Sequence, residues 1–129
     1  TMRGYIDDKV LVEATDAGLD KVEVWGSGTP RREFIYVDDL ADAAIHAIQA
    51  YDDRPPINLG TGISTAIADL ALGIRAVVGY KGSVTFDRSK PDGMPFKGLD
   101  SAPIRALGWQ ASVDLHTGLS RTYQAFLNP

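Results

Sequence analysis

The sequence predicts a mixed α/β domain, and three observations carry that expectation. Apolar residues recur at helical spacing in three separate segments, and short β-type runs bounded by turn residues lie between them. The chain has 129 residues, 44% hydrophobic and 23% charged, with 13 glycines and 7 prolines. That length and composition support one core of ordinary apolar content and exclude both disorder and two full domains.

Taken in chain order, a first helix is expected over residues 6–17, stopped by Gly18. Strand-type runs follow at residues 22–25 and 33–36, joined by the turn Gly26-Ser27-Gly28-Thr29-Pro30 in the manner of a hairpin. Val37, Leu40, Ala41, Ala44, Ile45 and Ile48 then form one continuous helical stripe, with Asp38 and Asp39 at the positive end of that helix. His46 shares the polar face with Asp39 and Asp42, which reads as a solvated surface, and His116 reads as a second surface histidine. Pro55-Pro56 marks a loop before a strand at residues 57–59. The next helix carries Ile67, Leu70, Ala71, Ile74, Val77 and Val78, with Ser64 as N-cap and Gly79 as its stop. Strands are expected at residues 83–86 and 97–99, separated by the turn Lys90-Pro91-Asp92-Gly93. A last helix has Asp114 as N-cap and a stripe of Leu115, Leu119, Thr122, Tyr123 and Phe126, ending before Pro129.

Charge narrows the partners. The net charge of -4 supplies no basic field for a nucleic-acid backbone, so no nucleic acid is expected. The absence of cysteine excludes disulfides, thiolate zinc sites and a cysteine nucleophile, and it fits a reducing, cytoplasmic setting. No apolar run approaches the roughly 18 residues of a membrane span, and the first residues lack a signal-peptide core, so no membrane is expected.

Gly26 to Arg32 brings a turn and two guanidinium groups together, and backbone amides with a forked cation are what a diphosphate needs. A solvated turn is the alternative reading of the same residues. Gly60-Thr61-Gly62 lacks the sixth-position small residue and the following acidic residue of a dinucleotide fingerprint, so it reads as a strand-to-helix turn. Tyr5 and Lys9 have the Tyr-x-x-x-Lys spacing of short-chain dehydrogenases, but only four residues precede Tyr5, too few for a cofactor lobe upstream. The two histidines lie far apart without an acidic cluster, and no metal site is expected.

The string from Val24 to Leu40, with Trp25-Gly26-Ser27-Gly28-Thr29-Pro30 and Arg32-Glu33-Phe34-Ile35, resembles the corresponding stretch of GDP-L-fucose synthases. Those are extended short-chain dehydrogenase/reductases acting on GDP-4-keto-6-deoxymannose. Ile57-Asn58-Leu59-Gly60-Thr61-Gly62, Ser89-Lys90-Pro91-Asp92-Gly93 and Leu107-Gly108-Trp109 follow in family order. The resemblance runs from about Ile6 to Pro129 and covers only the family's C-terminal part.

It implies that residues 1–129 form a single substrate lobe binding a sugar nucleotide such as GDP-4-keto-6-deoxymannose or GDP-fucose. The NADP cofactor of the full-length family, its Rossmann domain and its catalytic residues have no counterpart in this chain. Position by position, Arg32 matches the arginine on the substrate diphosphate and Trp25 a tryptophan lining the pocket. Asp92 lies on the substrate side, and Lys97 matches a nearby basic residue. Phe96 stands where the family usually has Arg, and Gly98 where Leu is common. Three roles remain open at this point: an isolated binding lobe inactive alone, a self-associating remnant, and the substrate half of a split enzyme with a separate Rossmann subunit. The strand at residues 57–59 would join the Rossmann sheet in that family, so a homodimer, or a locally rearranged strand, is expected here, with residues 57–59 and apolar side chains of nearby helices in the contact.

Overall fold

A computed structural model describes residues 2–4 and 8–128, with side chains described over 11–128. Tyr5 and Ile6, the start of the Tyr-x-x-x-Lys spacing and of the first expected helix, lie outside the described residues.

The chain begins β1 (Met2–Gly4), α1 (Asp8–Asp16), β2 (Lys21–Trp25), a parallel βαβ unit whose strands pair Met2 with Val22 and Gly4 with Val24. The chain then crosses to β3 (Arg31–Glu33) and α2 (Val37–Ala50), and continues through β4 (Ser64–Ala66) and α3 (Ile67–Val78). It ends with β5 (Ser83–Asp87), β6 (Phe96–Lys97), α4 (Ala102–Ala106) and α5 (Leu115–Leu127). Two three-stranded sheets result, β1-β2-β5, all parallel, and β4-β3-β6, mixed. The mixed α/β class therefore holds, with five helices among the described residues where four were expected. Residues 26–30 do not close a hairpin, because β2 and β3 pair in different sheets.

Two apolar cores support the sheets. In the first, Leu11 and Ala14 of α1, Val22 of β2, Leu70 and Ile74 of α3 and Tyr80 come together, with Leu115 and Leu119 of α5 packed against them. Burying one such aliphatic side chain stabilises by about 1.5–3 kcal/mol. The second core joins Ala43 of α2, Ile104 of α4 and Trp109, flanked by Ile57 and Leu59.

Helix α2 sits on that second core in an unexpected orientation. Its buried positions are Asp39 and Ala43, whereas Val37 is 67%, Ile45 57% and Ile48 83% exposed. The polar face is bonded inward. Asp39 accepts from Ser112 N, Ser112 Oγ and Val113 N at 2.8–3.0 Å. Asp42 accepts the Trp109 indole N–H at 2.8 Å, and His46 Nε2 donates to Leu107 O at 2.8 Å. The solvated reading of this face is thus corrected for Asp39, which is buried, whereas His46 is half-buried and Asp42 exposed; all three side chains nevertheless bond backbone or indole groups of residues 107–113. Burial pushes the Asp39 carboxyl up, and the bonds from Val113 and Ser112 outweigh it, holding the group below its ordinary 3.8.

Residues 57–59 do not form a strand; Ile57 and Leu59 pack on the second core from irregular backbone. Ser64 does not cap α3, because it belongs to β4. The first α3 amides are met instead by carbonyls of the glycine turn at residues 26–30, Ile67 N to Pro30 O at 3.0 Å and Ala68 N to Gly28 O at 2.9 Å. Gly79 does stop α3, at φ 75°, and Asp114 caps α5 by accepting from Thr117 N at 2.8 Å.

Candidate functional site

The turn at residues 26–30 is built to leave β2 sharply and hold a second loop against it. Gly26 and Gly28 have φ of +92° and +76°, and a Cβ on Gly28 would sit 2.7 Å from Phe86 Cε1. Ser27 donates its N–H to Asp92 Oδ1 at 2.5 Å and its hydroxyl to Asp92 Oδ2 at 2.7 Å. These bonds, the backbone one first, hold the Asp92 carboxyl below its ordinary value, and Arg88 adds to the effect. Asp92 thereby fastens the Lys90–Gly93 loop to the glycine turn.

The two adjacent arginines are used differently. Arg31 donates through Nε to Ser64 Oγ at 3.0 Å and through Nη2 to Ser64 O at 2.5 Å, which ties β3 to β4. Arg32 makes one bond, Nη1 to the Arg31 carbonyl at 2.7 Å, and among the described residues no carboxylate pairs with it. Arg32 also borders a cleft.

That cleft consists of two cavities of about 280 Å³ each, and Arg32 lines both. The first is walled by Trp25, Phe34, Leu70, Pro91 and Asp92. The second is walled by Glu33, Leu59, Gly60, Lys97 and Gly98. Of the four residues expected from the sequence, Trp25 and Asp92 line the first cavity, Lys97 lines the second, and Arg32 lines both. Arg32 and Lys97 are direct register partners of β3 and β6. Phe96 and Gly98 are coupled: a Cβ on Gly98 would lie 2.5 Å from Phe96 Cζ, so the absent side chain makes room for the ring.

Two contributors escaped the sequence reading. Lys90 places its ammonium 5.7 Å from the centroid of the Trp25 ring, a cation–π distance at the rim of the first cavity. Glu33 bonds both Gly62 N and Leu99 N, at 2.8 and 3.1 Å. Their order in sequence gives no signal of these contacts, which depend on how the loops return. Among the described residues, no group of three His, Asp or Glu is placed to hold a metal, and no helix is long and apolar enough to cross a membrane.

Residues 8–60 match the family model described as the NAD dependent epimerase/dehydratase family. The chain is 48% identical over 124 residues to the GDP-L-fucose synthase of Escherichia coli (strain K12), covering 89% of this chain and 39% of that protein. It is 44% identical over 115 residues to putative GDP-L-fucose synthase 2 of Arabidopsis thaliana, covering 89% of this chain and 35% of that one. The chain thus spans little more than a third of the length of these curated relatives. Among solved structures, a GDP-L-fucose synthetase from Naegleria fowleri bound to NADP superposes with a TM-score of 0.84 at 26% identity, over 94% of this chain and 40% of its own.

Proposed function

We propose that this chain, which is homologous to a fragment of GDP-L-fucose synthase, is the C-terminal sugar-nucleotide-binding lobe of such an enzyme and performs no catalytic step by itself. Its ligand is a GDP-sugar such as GDP-4-keto-6-deoxymannose or GDP-fucose. Arg32 grips the diphosphate, Lys97 adds a second cation, and Trp25 supplies apolar contact. Asp92 serves the same surface by holding the glycine turn in place. NADP is not a ligand of this chain alone in this reading.

The observation that carries the proposal is the placement of Arg32, lining two adjoining cavities with Lys97 opposite it and, among the described residues, no carboxylate pairing it. A planar guanidinium beside a second cation suits a bidentate grip on linked phosphates. Calorimetric titration with GDP-fucose tests it. A dissociation constant of about 0.1–1 mM is expected for so open a site. No heat of binding at several times that concentration would overturn the reading.

A second reading adds to the first. The exposed α2 stripe of Val37, Leu40, Ile45 and Ile48 is an apolar surface of the kind another chain covers. We propose that it is covered by a second copy in a homodimer, with a separate Rossmann subunit as the alternative occupant.

A further inference from the structure

We infer that Glu33 is the positioning residue that sets the spacing between Arg32 and Lys97, and so makes the cleft select two linked phosphates over one. The inference rests on the cleft being a phosphate site, as proposed above, and names what tunes it.

Strand β6 is only two residues long, and its pairing with β3 consists of Arg31 with Phe96 and Arg32 with Lys97. So short a ladder is a poor anchor for an exposed lysine, and two cations brought side by side repel each other. Glu33, half-buried and next to Arg32 in sequence, answers the first problem. Its Oε2 accepts from Leu99 N at 3.1 Å and so fastens the chain two residues beyond Lys97. Its Oε1 accepts from Gly62 N at 2.8 Å and from Thr61 Oγ1 at 3.3 Å, fastening the opposite wall. One carboxylate thus bonds the segments on both sides of the second cavity.

The surrounding residues are fitted to this clamp. A Cβ on Gly60 would collide with Glu33 Oε1, so the turn approaches the carboxylate closely only because residue 60 is glycine. Thr61 spends its hydroxyl in the same network, and its Oγ1 also accepts from Ile63 N at 3.1 Å. Removing the acceptor for Leu99 N leaves β6 held by its two-residue pairing and, beyond it, by the long 3.4 Å bond from Asn58 Nδ2 to Asp100 O. Lys97 then moves away from Arg32, and a ligand that needs both cations suffers more than a ligand that needs one.

The test compares GDP with GMP on the wild-type chain, Glu33→Gln, Arg32→Ala, Lys97→Gln and the Glu33→Gln/Lys97→Gln double variant. Glutamine keeps the size of the side chain but turns an amide N–H₂ toward one of the two walls. The wild type is expected to prefer GDP by at least about fivefold, as a charge-assisted second contact implies. Glu33→Gln should lose that preference while its GMP affinity stays within about twofold, and it should add nothing in the Lys97→Gln background. Parallel losses for GDP and GMP, or additive losses in the double variant, would mean a merely structural role and overturn the inference. If Glu33→Gln does not fold, Glu33→Asp takes its place with the same expected loss of preference. Binding abolished in Arg32→Ala together with a preference retained in the Glu33 variant sinks the clamp and leaves the phosphate site standing. A wild type without any preference sinks both.

Discussion

Arg32 and Lys97 face each other across the parallel pairing of β3 with β6, and both line the same cavity. They stand 65 positions apart in sequence. The glycine turn, closed by Asp92 on Ser27, presents Trp25 on one side of Arg32. Glu33 gathers residues 60–62 and 99 on the other.

The adjacent arginines should separate by function. Arg31→Ala removes two bonds to Ser64 and should lower stability by about 0.5–1.5 kcal/mol in denaturant unfolding, with GDP affinity changed by less than threefold or so. Arg32→Ala should leave unfolding nearly unchanged and abolish GDP binding in calorimetry. Equal binding losses would indicate a diffuse charge effect.

Acid should loosen the contact between α2 and residues 112–113. Asp39 is held below 3.8 when folded, so the unfolded chain binds this proton more readily. The stability it contributes is complete above the unfolded value, near 3.9, and is lost as pH falls through the lower folded value. Asp92 and Asp114 are depressed in the same direction and add to that acid limb. Thermal unfolding followed from pH 7 to 2.5 should show the loss setting in below about pH 4. Asp39→Asn should be less stable than the wild type at neutral pH and show a shallower acid limb.

Helix α2 offers a paired test of its orientation. Ile104, fully buried against Ala43 and Trp109, should cost about 2–5 kcal/mol when changed to Ala. Ile48, 83% exposed, should cost the folded monomer less than about 0.5 kcal/mol when changed to Glu. Light scattering at micromolar concentration should find a dimer for the wild type and a monomer for Ile48→Glu. A wild type that is monomeric there would refute the homodimer. Leu59 is unsuited to this test because it packs on the second core.

That helix also marks the boundary of what the sequence discloses. Its existence follows from periodicity, as do α3 and α5, and for α3 the apolar stripe is also the buried face, through Leu70, Ala71 and Ile74. For α2 the stripe lies outside, because Asp39, Asp42 and His46 find partners in residues 107–113 that periodicity does not register. The expected strand at residues 57–59 fails for a related reason: an apolar run satisfies the pattern of a strand, but a strand needs a neighbour to pair with. At the site, Arg32, Trp25, Asp92 and Lys97 come from motif resemblance, which locates residues in the chain. The Glu33 clamp and the Lys90–Trp25 contact depend on loop return and leave no local mark.

Catalysis belongs to the same account. The purified chain, given NADPH and GDP-4-keto-6-deoxymannose, should oxidise no NADPH above background, because the proposed lobe binds the sugar nucleotide without moving a hydride or a proton. Turnover that scales with chain concentration through purification would contradict an inactive lobe.

The most direct test of the Arg32-centred site is an amide and indole NMR titration with GDP-fucose. The account predicts shifts concentrated on the Trp25 indole, residues 26–32 and residues 97–99, saturating with a dissociation constant of about 0.1–1 mM and absent in Arg32→Ala. No shifts at saturating ligand, or shifts centred instead on the distant cavity lined by Thr15, Leu19 and Tyr80, would contradict it.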